Sequence, residues 1–88
     1  MAAYKIFIKR SAAREMEGLG KKDLAKVLAR IEALGENPRP AGVEKLAGVD
    51  LWRIRQGDYR ILYSIEDNLL TVWIFKVGHR REVYRKIG

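Results

Sequence analysis

Leu51-Trp52-Arg53-Ile54-Arg55-Gln56-Gly57-Asp58-Tyr59-Arg60-Ile61-Leu62-Tyr63 is the stretch on which the fold turns. Two alternating runs flank Gly57-Asp58, a pair suited to a two-residue hairpin. Folding the chain there sets Gln56 opposite Tyr59, Arg55 opposite Arg60, Ile54 opposite Ile61, Arg53 opposite Leu62 and Trp52 opposite Tyr63. Trp52, Ile54, Tyr59, Ile61, Tyr63 and Ile65 then share one face, and Arg53, Arg55 and Arg60 share the other. A slip of one residue would set the apolar residues against arginines, so the pattern selects its own register. Arg55 and Arg60 stand directly across from each other, which is unfavourable in a sheet. Such a placement points to an anion, and arginine's planar fork of donors matches two phosphate oxygens. The plainer alternative is a solvated face whose long side chains reach water.

Upstream, Tyr4 to Lys9 alternates as a short strand, with Ile6 and Ile8 on one side and Lys5, Phe7 and Lys9 on the other. Ser11 is the expected N-cap of a short helix from Ala12 to about Glu17, ended by Gly18 and Gly20. From Lys22 the period becomes that of a long amphipathic helix. Leu24, Val27, Leu28, Ile31 and Leu34 make its apolar stripe, Lys26, Arg30 and Glu32 face outward, and Gly35 is the expected stop. Glu36 to Asp50 reads as a connection with Leu46 tucked against the core. Downstream, Leu51 to Arg55, Tyr59 to Ile65 and Leu69 to Val77 form a three-strand meander. The order β-α-α-β-β-β predicts an α+β fold, a small antiparallel sheet with two helices packed on one face and the other face left for function.

Past the last strand, Val77-Gly78-His79-Arg80-Arg81-Glu82-Val83-Tyr84-Arg85 delivers His79, Arg80, Arg81, Tyr84 and Arg85 beyond the sheet edge. Alone this is a solvated basic tail. Beside the arginine face it reads as the far wall of a phosphate-lined cleft, with Tyr84 as a platform for a base. The 88 residues carry eighteen Lys and Arg against eleven Asp and Glu, a formal charge of +7, which calls for a polyanion or an acidic partner. That length suits one domain, residues 1–88. With no cysteine, neither a disulfide framework nor a thiolate metal site is available, and one histidine cannot build a zinc site by itself. No metal and no cofactor are expected. Nowhere do ~18 consecutive apolar residues occur, so a cytoplasmic protein without a membrane partner is expected.

Leu51-Trp52-Arg53-Ile54-Arg55, Gly57-Asp58-Tyr59-Arg60-Ile61-Leu62-Tyr63, Val77-Gly78-His79-Arg80 and Glu82-Val83-Tyr84, with Lys45-Leu46 before them, closely resemble RelE toxins of the RelE/ParE superfamily. The similarity runs in order and spacing over essentially the whole chain. It implies a RelE-like, microbial-ribonuclease-like fold and a RelB-like antitoxin partner. It also implies an endoribonuclease, an mRNA interferase that enters the ribosomal A site and cuts messenger RNA through a ribose 2′-hydroxyl, stopping translation. Carried over by position, the catalytic set falls on Arg53, Arg55, Arg60, Arg80 and Tyr84, with His79, Arg81 and Lys45 as accessory candidates.

One departure matters chemically. The best-studied RelE has lysines at the positions of Arg53 and Arg55, and one of them is proposed to take the 2′-hydroxyl proton. Arginine, with a pKa of roughly 12 or more, is a very poor base. His79 is the only nearby side chain with an ordinary pKa close to neutrality. The rival within the superfamily is a ParE-like toxin that inhibits DNA gyrase without cutting RNA; ParE chains generally lack this basic set. The rival outside it is a nucleic-acid-binding regulator with no catalysis.

Overall fold

The computed structural model describes residues 3–79. Its elements in chain order are β1 (Lys5–Ile8), α1 (Arg10–Glu17), α2 (Lys21–Glu36), β2 (Glu44–Lys45), β3 (Trp52–Gln56), β4 (Tyr59–Glu66), a 3₁₀ turn (Asp67–Leu69) and β5 (Thr71–His79). They build one five-stranded sheet in the order β1-β5-β4-β3-β2. The hairpin register is the one the alternation selects, from Trp52 opposite Tyr63 to Gln56 opposite Tyr59. Gly57 turns at φ +61° and Asp58 keeps an ordinary φ, the pattern of a glycine-first, type II′ turn.

The sheet is larger and less uniform than the meander alone. β1 pairs in parallel with β5, from Lys5 beside Thr71 to Ile8 beside Ile74. Two residues of the expected connection, Glu44 and Lys45, pair with Arg53 and Trp52 as the edge strand β2. The register between β4 and β5 shifts after Leu62, which faces Lys76, because Tyr63 faces Ile74 and leaves Phe75 as an extra residue. Such a bulge bends its strand and re-aims the side chains around it.

The core lies between the sheet and the two helices. Ala12 and Met16 of α1 and Val27, Ile31 and Leu34 of α2 meet Ile54, Ile61, Tyr63, Val72, Ile74 and Val77, all buried. The buried Tyr63 hydroxyl donates to the Pro38 carbonyl at 2.7 Å, and burial pushes its pKa up to about 12. Leu28 is an exception to the expected stripe, 37% exposed at its margin.

Three local expectations are corrected. Ser11 does not cap α1: the Lys9 N–H still bonds to the Ile74 carbonyl at 2.9 Å, so the helix starts at Arg10 as soon as the chain leaves the sheet, with no side-chain cap. Gly35 does not stop α2, which runs on to Glu36. Gly35 serves close approach instead: its carbonyl accepts the Tyr4 N–H at 2.7 Å, and a Cβ there would sit 3.1 Å from the Tyr4 carbonyl oxygen. Val43, rather than Leu46, is the residue of the connection packed on the core, while Leu46 is half-buried and its N–H bonds to the Leu51 carbonyl.

Candidate functional site

Alternation along the paired strands sorts the sheet into a helix-facing side and an open side, over which no helix among the described residues lies. On the open side, one cross-strand row is Arg55, Arg60 and Gly78, and the next is Glu44, Arg53, Leu62 and Lys76. The three arginines of β3 and β4 are therefore brought together as the pattern requires.

Their environments differ. Arg55 is exposed. Arg60, between Arg55 on one strand and the side-chain-free Gly78 on the other, is only 6% exposed, and its Nε–H has no hydrogen-bond partner. A buried donor left unsatisfied costs about 1–3 kcal/mol, and the like charge of Arg55 directly opposite adds to it. An acceptor with two oxygens in this row would answer both. Arg53 is half-buried and ion-paired with Glu44, its cross-strand neighbour on β2, so this cation is already partly neutralised. Leu62, fully buried although it lies on the open side, floors the row between Arg53 and Lys76.

Lys76 was not among the candidates drawn from the sequence. The bulge at Phe75 sets it in the Leu62 row, and its ammonium pairs with Glu15 of α1 past the end of β1. The second oxygen of Glu15 accepts the Val77 N–H at 3.1 Å, tying α1 to the stretch of β5 beyond the end of β1. A bulge leaves no clear trace in an alternating apolar run, so the sequence carries little signal for this residue.

Two accessory candidates lie elsewhere. His79 is the cross-strand partner of Tyr59, a residue of the helix-facing side, and their rings meet edge-to-face at 6.2 Å. Together they line a pocket of about 210 Å³ with Asp23, Lys26, Gln56, Gly57 and Asp58. The Tyr59 hydroxyl donates to Asp23 there at 3.2 Å, and burial followed by the Asp23 charge raises its pKa. Lys45 is the partner of Trp52, again on the helix-facing side, with Asp50 at 3.5 Å. Neither joins the arginine rows. Arg80, Arg81 and Tyr84 lie outside the described residues.

A second ionic cluster holds the far end of the sheet. Arg39 forks onto Asp67 with bonds of 3.1 and 2.9 Å, the Tyr4 hydroxyl donates to Asp67 at 2.7 Å, and the Arg39 guanidinium lies 5.0 Å from the Trp52 ring centre. Hydrogen bonds from Arg39 and then Tyr4 hold the Asp67 carboxyl down at about 2. Its partners are all accounted for within the fold, so it locks the loops at that end.

Known proteins share this architecture. The family described as the ParE toxin of the type II toxin–antitoxin system parDE matches residues 6–84. Toxin RelG of Mycobacterium tuberculosis is 45% identical over 42 residues, 48% of this chain and 46% of that protein, so this match spans about half of the relative's length. In the RelBE2 toxin–antitoxin complex of M. tuberculosis a chain superposes with a TM-score of 0.82 at 29% identity, covering 93% of this chain and 97% of that one. The RelE–RelB complex of Pyrococcus horikoshii gives 0.81 at 29% identity over 94% and 100%, and isolated E. coli RelE gives 0.77 at 28% over 96% and 94%. A family match over most of the sequence and a shared fold over nearly all of it agree with the arginine hairpin: the chain belongs to the RelE/ParE superfamily and is a RelE-like toxin of the type II toxin–antitoxin class.

Proposed function

We propose that this toxin is a metal-independent endoribonuclease that cuts messenger RNA in the ribosomal A site and is held inactive by a RelB-like antitoxin. The observation that carries the reading is Arg60, a buried guanidinium with an unsatisfied Nε–H, facing Arg55 on the open side of the sheet. A phosphodiester supplies the acceptor oxygens that this row lacks. Arg55 and Arg60 hold the scissile phosphate, and Arg53 joins them when the phosphate competes for it with Glu44. By position, Arg80 stabilises the leaving oxygen and Tyr84 stacks on a base.

The 2′-hydroxyl oxygen attacks its own 3′-phosphate and gives its proton to water, the bond from phosphorus to the 5′-oxygen of the next nucleotide breaks as the 2′,3′-cyclic phosphate forms, and the departing 5′-oxygen takes a proton from water. Charge builds on the non-bridging oxygens, where fixed cations act most strongly. Arginine cannot take the 2′-hydroxyl proton, and His79 stands on the other side of the sheet, so the arginine rows supply electrostatics rather than a strong base. In-line alignment of the 2′-hydroxyl then comes from the ribosome, worth up to ~7–11 kcal/mol in well-oriented reactions. Complexes with antitoxins among the structural relatives, and the +7 charge, support an acidic antitoxin that covers the basic surface.

The matched family is named for ParE toxins, which favours one second reading, a toxin that inhibits DNA gyrase. Induction in cells separates the two. An A-site nuclease halts amino-acid incorporation first and yields messenger ends mapped to the A site of programmed ribosomes. A gyrase inhibitor raises the DNA-damage response first and leaves messengers intact.

A further inference from the structure

On the open side, four residues along β4 from Arg60, Ser64 faces Trp73, and Trp73 lies beside Phe7 of β1. The Phe7 and Trp73 rings stack with centroids 4.9 Å apart and planes at 25°. Phe75, turned out by the bulge, joins them. The Lys9 ammonium lies over two of the three rings, 5.1 Å from Trp73 and 4.7 Å from Phe75. Phe7 is 43% and Phe75 37% exposed, so three aromatic rings share a surface with a cation.

Lys76 follows Phe75 in the chain and leads to the surface of α1. Lys76 lines a hollow of about 520 Å³ with Arg10, Ser11, Arg14 and Glu15. Arg10 and Arg14 stand one turn apart on α1, a like-charge spacing that disfavours a helix. From the Arg60 row to the Trp73 row is about 13 Å along the strand, four residues at ~3.3 Å each. A single-stranded RNA passing the arginines would reach these rings within a few nucleotides.

We infer that Phe7, Trp73 and Phe75 form a base-stacking platform for the RNA strand flanking the scissile phosphate, with Lys9 meeting its backbone. Single-stranded RNA offers π-faces and phosphates together, which is what rings edged by cations bind. An acidic peptide would use the charges but not three rings in one patch. This inference rests on the RNA-cleaving reading for its ligand and adds a second point of contact outside the arginine rows.

The chain has two tryptophans, so Trp52→Phe leaves Trp73 as the sole reporter. In that background, octa-adenylate is expected to quench the fluorescence at low salt, and a polyphosphate of matching charge to bind without quenching. Replacing Phe7 and Phe75 with Leu keeps the surface apolar and removes two of the three rings; affinity for octa-adenylate should fall roughly fivefold to a hundredfold, and Phe75→Tyr should retain it. On programmed ribosomes the leucine pair should need more toxin for half-maximal cleavage while cutting at the parental rate when saturating. Equal quenching by polyphosphate, or octa-adenylate binding unchanged by the leucine pair, overturns the platform. So does a leucine pair that binds octa-adenylate normally and loses antitoxin, since the patch is then a protein surface. If the leucine pair fails to fold in a thermal melt, the quenching comparison decides alone. A parent that never cuts on ribosomes, yet binds octa-adenylate through the rings, refutes the cleavage reading and leaves the platform standing.

Discussion

Arg60→Met is expected to make this protein more stable while abolishing its toxicity. Arg60 is 6% exposed with an unpartnered Nε–H, and Arg55 faces it across the hairpin. Methionine keeps most of the buried stem and removes both the orphan donor, about 1–3 kcal/mol, and the like-charge pair, about 0.2–1 kcal/mol. Replacing a buried charge with a well-packed apolar side chain is commonly neutral or stabilising. A net gain of about 1–3 kcal/mol shifts the melting midpoint of a chain this size upward by roughly 5–20 °C. Arg60→Ala should gain less because it also gives up the packing of the stem, and Arg55→Met, at an exposed site, should change little. Thermal and urea melts in phosphate-free, low-salt buffer measure the gain. Added inorganic phosphate should then raise the parent's midpoint and not that of Arg60→Met, since only the parent keeps the cation that binds it. Loss of about 1 kcal/mol or more in Arg60→Met would mean the guanidinium is a structural asset, and the reasoning from its unsatisfied donor would be wrong.

Asp67 is held at about 2 by Arg39 and Tyr4, below its ordinary 3.8. A depressed carboxylate contributes stability that is fully present above the unfolded value and lost as pH falls through the folded one. Stability should therefore decline from about pH 4 toward pH 2, and Asp67→Asn should flatten that limb in urea melts across the range. Tyr63→Phe deprives the buried Pro38 carbonyl of its donor and should cost about 1–3 kcal/mol, read as a lower urea midpoint at unchanged slope. His79→Ala should leave the pH profile and rate of cleavage nearly as in the parent, because His79 pairs with Tyr59 on the helix-facing side; a lost limb in the pH–rate profile would make His79 the base after all.

The hairpin register and the arginine side were legible in the sequence because period-two alternation and a two-residue turn leave one arrangement that buries Ile54, Ile61 and Tyr63 together. The helices were legible from their apolar spacing, and their ends less so: Gly35 reads as a stop by composition, yet its meaning is set by Tyr4, 31 positions earlier in the chain. β2 was hidden because two polar residues, Glu44 and Lys45, carry no alternation and are held by pairing to β3. At the site, sequence grouped His79 with the arginines by proximity along the chain, whereas cross-strand pairing assigns it to Tyr59. The Lys76–Glu15 pair and the Phe7–Trp73–Phe75 patch depend on a bulge and on a parallel strand contact, neither of which a linear pattern encodes.

On the proposed reading, cations on the open side stabilise the transition state of RNA cleavage. Single-turnover cutting of messenger on programmed ribosomes tests it most directly, comparing the parent with Arg60→Met and Arg80→Ala, each first shown by melt and by antitoxin binding to be folded. Messenger ends at the A site are expected for the parent, with rates lower by on the order of 10²- to 10³-fold in each variant. A folded Arg60→Met that cuts as fast as the parent, or a parent that cuts nothing while DNA gyrase is inhibited, would contradict it.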